Sequence, residues 1–160
     1  MTIIRAMFTL SFLCMLTLLT ACGGAANDGT VPTAVPAGDS SVDIGDHVVH
    51  FSAQTTDQLE LEVARTYNIV RSKNRAMLNV SVLKEGSNQP VAADVLVKTV
   101  NLTGQLKNVV MRKVTEQEAI YYIGETPIAN RETLIFDISV TPEGVSEASE
   151  VRFRRQFYSN

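Results

Sequence analysis

The stretch LIFDISV, residues 134–140, alternates without a break: Leu134, Phe136, Ile138 and Val140 fall on one side, Ile135, Asp137 and Ser139 on the other. Successive side chains of a strand point to opposite faces, so this is a half-buried strand of an antiparallel sheet. Residues 76–82, AMLNVSV, repeat the pattern with Leu78, Val80 and Val82 inward and Asn79 and Ser81 outward. Residues 47–52, HVVHFS, put Val49 and Phe51 on one face. Further strands are expected over 93–100, 106–114, 119–125 and 151–158, the last with Phe153 and Phe157 inward and Arg152 and Arg154 outward. Turn-rich segments such as KEGSN (84–88) and PEG (142–144) separate them. Short strands at roughly 10-residue spacing predict an all-β fold, an immunoglobulin-like or fibronectin-like antiparallel β-sandwich of about seven strands. The chain has no tryptophan, and neither of its two cysteines falls in this region, so an antibody-type domain is excluded.

One segment departs from period two. In residues 57–67, DQLELEVARTY, Leu59, Val63 and Tyr67 recur at helical spacing, and Asp57 with Glu60 fits a capping box. A short helix over about 60–67, packed on an end or edge of the sandwich, is expected.

Before the sandwich the composition changes twice. Arg5 precedes an uncharged apolar run, residues 6–21, which as a helix would rise roughly 24 Å, short of a bilayer core of about 30 Å. That is the layout of a signal peptide. It runs into Leu19-Thr20-Ala21-Cys22, which resembles the lipobox of bacterial lipoproteins, where the cysteine thiol is acylated and the chain is cut just before it. Residues 23–43 are rich in Gly, Ala, Pro, Ser and Asp and lack apolar periodicity, as in a flexible tether. The expected organisation is a signal peptide over 1–21, a lipidated Cys22 and tether over 22–43, and the sandwich domain over 44–160. Acyl chains on Cys22 make the membrane a partner. Gly23 after the cysteine, where Asp is absent, resembles the pattern sent on to the outer membrane, with the inner membrane the second choice. Without Arg5 the remaining 13 basic residues face 17 acidic ones, so nothing draws the chain to nucleic acid.

No catalytic set, metal site or cofactor motif emerges. His47 and His50 lie three apart and face opposite ways on a strand, where they cannot share an ion. Ser81-Val82-Leu83-Lys84 matches S-x-x-K, but on a strand the serine and lysine diverge, and the partner motifs are missing. Glu60 with Glu62, and Glu116 with Glu118, read as solvated charge. The basic run Arg71, Lys73 and Arg75, with Asn74 between, offers either a surface for an acidic partner or a loop pairing with Asp57, Glu60 and Glu62.

The blocks HVVHFSA, YNIVRSKNRAMLNVSVL, NLTGQ, AIYYIGETPIANRETLIFDISVTPEG and VRFRRQFY together resemble a family of Gram-negative bacteria called domain of unknown function 4426, over about 47–158. The family carries a proline-containing turn before the helix, where this chain has Leu59-Glu60-Leu61. The resemblance implies an exported β-rich domain with no assigned activity. It also makes Arg71, Lys73, Asn74, Arg75, Asn101, Thr103 and Gln105 the first candidates for a binding surface. The expected function is a non-enzymatic, lipid-anchored interaction module of the cell envelope, facing the periplasm and meeting another envelope protein. An envelope-acting hydrolase and a structural or chaperone-like lipoprotein are the alternatives.

Overall fold

The alternating blocks become nine strands: β1 (Ser41–Asp43), β2 (His47–Thr55), β3 (Arg75–Lys84), β4 (Ala93–Asn101), β5 (Leu106–Lys107), β6 (Arg112–Glu116), β7 (Ala119–Pro127), β8 (Thr133–Pro142) and β9 (Ser149–Gln156). A 3-10 turn at Thr56–Gln58 and a helix, α1 (Leu61–Thr66), lie between β2 and β3. The structure, a computed structural model, describes residues 40–159. The apolar segment, Cys22 and most of the tether lie outside the described residues.

Every pairing is antiparallel. One sheet runs β1-β2-β3-β7-β6, the other β5-β4-β8-β9. Counted from β2 in immunoglobulin lettering, these are A-B-E-D and C′-C-F-G, the connectivity of that class of sandwich. The inward set read from the alternation forms the core: Val49, Phe51, Leu78, Val80 and Val82 from the first sheet meet Leu134, Phe136, Ile138 and Val140 from the second. Phe153 closes the layer, its ring 5.1 Å from Phe51 and 5.7 Å from Phe136. The Tyr122 hydroxyl spans the sheets and accepts the Ala93 N–H at 2.7 Å.

Three features differ from the sequence reading. β1 falls inside the stretch expected as tether: Ser41 to Asp43 pair with His50 to Val48, so the ordered domain starts before residue 44. Three residues with one apolar side chain carry no periodicity to betray them. The run 106–114 is two strands, β5 in one sheet and β6 in the other, joined by a crossing at 108–111. Gly124 of β7 makes the crossing possible. A Cβ there would sit 2.6 Å from Met111 Sδ, 2.7 Å from Val109 Cγ1 and 3.1 Å from the Val110 carbonyl. Finally, α1 is one residue shorter at each end than expected and lacks the capping box: Glu60 is the N-cap, with no side-chain hydrogen bond. His47 is buried, whereas His50 is exposed on the opposite face of β2.

Gly124→Ala should lower stability by about 1 to 3 kcal/mol, because backbone as well as side chains must give way. Urea unfolding reads this directly; unchanged stability would mean that the crossing does not depend on the glycine.

Candidate functional site

Consecutive strands alternate direction, so the segments 56–74, 102–105 and 128–132 gather at one end of the sandwich. The structure therefore brings the two groups of sequence candidates to the same end, joined by the 128–132 loop. Most of their polar groups serve the loops themselves. Arg71 donates to the Asp57 carbonyl at 2.6 Å, the Asn74 carbonyl accepts the Ile128 N–H, and Arg75 begins β3 beside Glu125, 3.4 Å away. Of the acidic partners expected for this run, Asp57 is met through its backbone, and Glu62 pairs with Arg65 instead. Asn101 is the hub of its turn. Its Oδ1 accepts from the Thr103 N–H and hydroxyl and from the Gln105 N–H, while Nδ2 donates to Gln105 and to Glu132 Oε1.

Glu132, which the sequence reading did not single out, ties these loops together. It lies 2.8 Å from Lys107 Nζ and accepts from the Ala129 N–H as well as Asn101, with the two charged side chains only 10% and 15% exposed. Burial alone would raise its pKa. The hydrogen bonds from Lys107, Ala129 and Asn101, with the lysine charge, outweigh this and hold the carboxyl below its ordinary value.

A second cluster lies on the other face of the first sheet. There Leu59, Ala64 and Ile69 from the segment around α1 pack on Met77 of β3 and Ile123 of β7. Six helical residues are too few to be stable alone, and tertiary contacts hold this segment down. Buried Thr56 bonds the Val70 carbonyl at 2.8 Å and accepts the Ser72 N–H at 2.9 Å, and Arg112 donates to the Tyr67 carbonyl.

The cover does not fill the space beneath it. A pocket of about 160 Å³ remains between α1, β3, β6 and β7, lined by Leu59, Val63, Ile69, Met77, Val114 and Ile123 together with Tyr67 and Tyr121. The Tyr67 pKa is raised, first by its hydrogen bond to Glu116 and then by burial, so the phenol is neutral at physiological pH. Asn79 also lines the pocket, and its Oδ1 is buried without a hydrogen-bond partner. The sequence reading put Asn79 outward; it does leave the core face, but α1 lies over that side.

A shallower hollow of about 340 Å³ at the opposite end gathers His50, Ser81 and Glu118. His50 and Ser81 are register partners across β2 and β3. No hydrogen bond joins them to each other or to Glu118, whereas a nucleophile and its base need hydrogen-bond reach. The pocket under α1 has the makings of a binding site: mostly apolar walls, polar groups from Asn79 and two tyrosines, and no ionised side chain in its lining.

The fold and this pocket define an all-β sandwich domain with a concave apolar site. The chain matches the family described as domain of unknown function (DUF4426) over residues 41–160, and it belongs to that family. It is similar to a DUF4426 family protein from Pseudomonas aeruginosa PAO1 known from a crystal structure, with 33% identity and a TM-score of 0.65, covering 74% of this chain and 93% of that one. No curated protein matches it.

Two substitutions separate scaffold from site. Glu132→Gln should cost about 2 kcal/mol at neutral pH by leaving Lys107 without its counter-charge. Since the folded-state pKa of Glu132 is depressed, its contribution is present above the ordinary carboxylate value of 4.5 and is lost as pH falls through the lower, folded-state value. Urea titrations from pH 7 to 3 should therefore show a shallower acid loss in the variant; parallel curves would contradict the network. Asn79→Leu should instead raise stability by about 1 kcal/mol, because it removes an unpartnered buried polar atom. A loss in the same assay would mean that the amide supports the fold.

Proposed function

We propose that this chain is a non-enzymatic binding module, held at the envelope membrane by acyl chains on Cys22, that captures an apolar group in the pocket under α1. The observation that carries the reading is the pocket itself: a mostly apolar recess between the segment around α1 and the outer face of the first sheet. The apolar run, the lipobox-like Leu19-Thr20-Ala21-Cys22 and the polar stretch after it support the anchor and a tethered domain on the periplasmic side, at the outer membrane in first place and the inner membrane in second. Three acyl chains would hold the chain firmly, at about 0.8 kcal/mol for each buried methylene. An envelope protein is the partner that this placement offers. The candidates Arg71, Lys73, Asn74, Arg75, Asn101, Thr103 and Gln105 then serve mainly as the frame of the end loops.

The hollow at His50, Ser81 and Glu118 favours a second reading, an envelope hydrolase, because it gathers a base, a hydroxyl and a carboxylate in one place.

A photo-crosslinking residue at Val63, 40% exposed at the pocket, should capture a specific envelope component in cells, whereas one at Arg154 on the far sheet should not. Cys22→Ala should abolish fatty-acid labelling and the crosslink together. Equal capture from both positions would contradict the binding reading, as would esterase activity lost in Ser81→Ala. Labelling that persists without Cys22 would contradict the anchor.

A further inference from the structure

The two ends of the sandwich differ in chemistry. At the end formed by the segments 56–74, 102–105 and 128–132, Val70, Leu102, Leu106 and Tyr158 are between 63% and 67% exposed. Leu102 sits on the turn between β4 and β5, Leu106 follows that turn, and Tyr158 lies just beyond β9. Its neighbours tie it to the 128–132 loop, since the Phe157 N–H donates to the Glu132 carbonyl and the Ser159 N–H to Asn130 Oδ1. One exposed apolar side chain is ordinary, but turns favour polar residues, and four such side chains at one end call for a cause. Exposed Arg71, Lys73 and Arg131 share this end. Of the exposed carboxylates near them, Glu60 and Glu62, the second is paired with Arg65. The turns of the far end instead carry exposed Asp46, Glu85, Glu116, Glu118, Glu143 and Glu147, and of their large apolar side chains Val145, at 41%, is the most exposed.

The chain also reaches the domain from the apolar end. Ser41 pairs with His50 and Asp43 with Val48, and the Ser40 carbonyl accepts the Phe51 N–H, so going back from Asp43 to Ser40 leads toward Thr55 and the 56–74 segment. Residues 23–39 separate Ser40 from Cys22, and a flexible tether of that length spans roughly 20 to 25 Å. The geometry points to this end as a membrane-docking surface, on which Val70, Leu102, Leu106 and Tyr158 enter the lipid–water interface while Arg71, Lys73 and Arg131 meet lipid phosphates. The inference rests on the anchor reading above, because the anchor supplies the bilayer that the tether returns to on this side. Apolar area in the interface and cations at the headgroups reinforce each other, and a tyrosine suits a boundary that is apolar on one side and wet on the other. The acidic end then points away from anionic lipid. Docking adds to the anchor a fixed orientation of the domain.

The chain has no tryptophan, so a single introduced one reports its own surroundings. The test uses the full acylated chain in vesicles of brominated phosphatidylcholine, alone or mixed with phosphatidylglycerol, with Leu102→Trp and Leu106→Trp as probes. Leu96→Trp is the control, at a position 71% exposed in β4 and away from either end. Emission from the two end probes should move to the blue and be quenched at least about twofold more strongly than from the control. Phosphatidylglycerol should deepen the quenching and added salt should reverse that gain. Flotation of the chain with the vesicles reads the anchor separately. Equal quenching at all three positions, or none at the end probes while the chain still floats, would overturn the docking inference, leave the anchor standing and give this end to a protein partner. Quenching indifferent to phosphatidylglycerol would overturn the part assigned to the cations. A chain that does not float would overturn the anchor and the docking together.

Discussion

The structure depends on burying β3 from both sides. Its inward residues Leu78, Val80 and Val82 are closed off by the second sheet, and its outward residue Met77 is closed off by the chain folding back between β2 and β3. A strand paired with neighbours on both edges and covered on both faces is the most constrained element of a sandwich. Its outer face would present Met77 and Ile123 to solvent without the cover. That need accounts for α1, which is too short to persist alone, and for Thr56 and Arg112, which pin the segment on either side of it. The pocket is what remains where a six-residue helix covers a pleated surface that it cannot match.

Two further constraints hold the frame around this strand. Gly124 lets the chain cross from one sheet to the other, and the largely buried Lys107 and Glu132 pair joins the turns at 102–105 and 128–132 at one end. Gly124 adjoins the pocket residue Ile123 but belongs to the core side of β7, opposite Leu78, and the ion pair lies at the end loops, so the site is built on elements whose positions are fixed by other contacts. The pairing of β3 with β2 and β7 places the Asn79 backbone, so its unpartnered amide oxygen does not loosen the sandwich.

Much of the frame was legible in the sequence, and the reason is periodicity. LIFDISV and AMLNVSV state which residues face the core, and Leu59, Val63 and Tyr67 mark the helical turn. What escaped depends on contacts between residues far apart in the chain. The run 106–114 has no turn residue to divide it and reads as one strand, and only its meeting with Gly124 reveals the crossing. Glu132 lies 25 residues from Lys107 and 31 from Asn101. Asn79 alternates outward as read, but sequence cannot say that another segment returns over it. The loop residues chosen through family resemblance proved informative about architecture: Asn101 and its neighbours bond chiefly to one another. The site itself was hidden because its walls are ordinary Leu, Val, Ile and Met, types that carry no motif.

The central claim is that the space under α1 is a preformed, accessible apolar pocket. Diffraction from a crystal of the protein under xenon pressure tests it most directly, since xenon enters apolar cavities and scatters strongly. A xenon peak among Met77, Val114 and Ile123, with α1 unmoved, is the expected result. An empty site with α1 packed down against Asn79 would contradict the account.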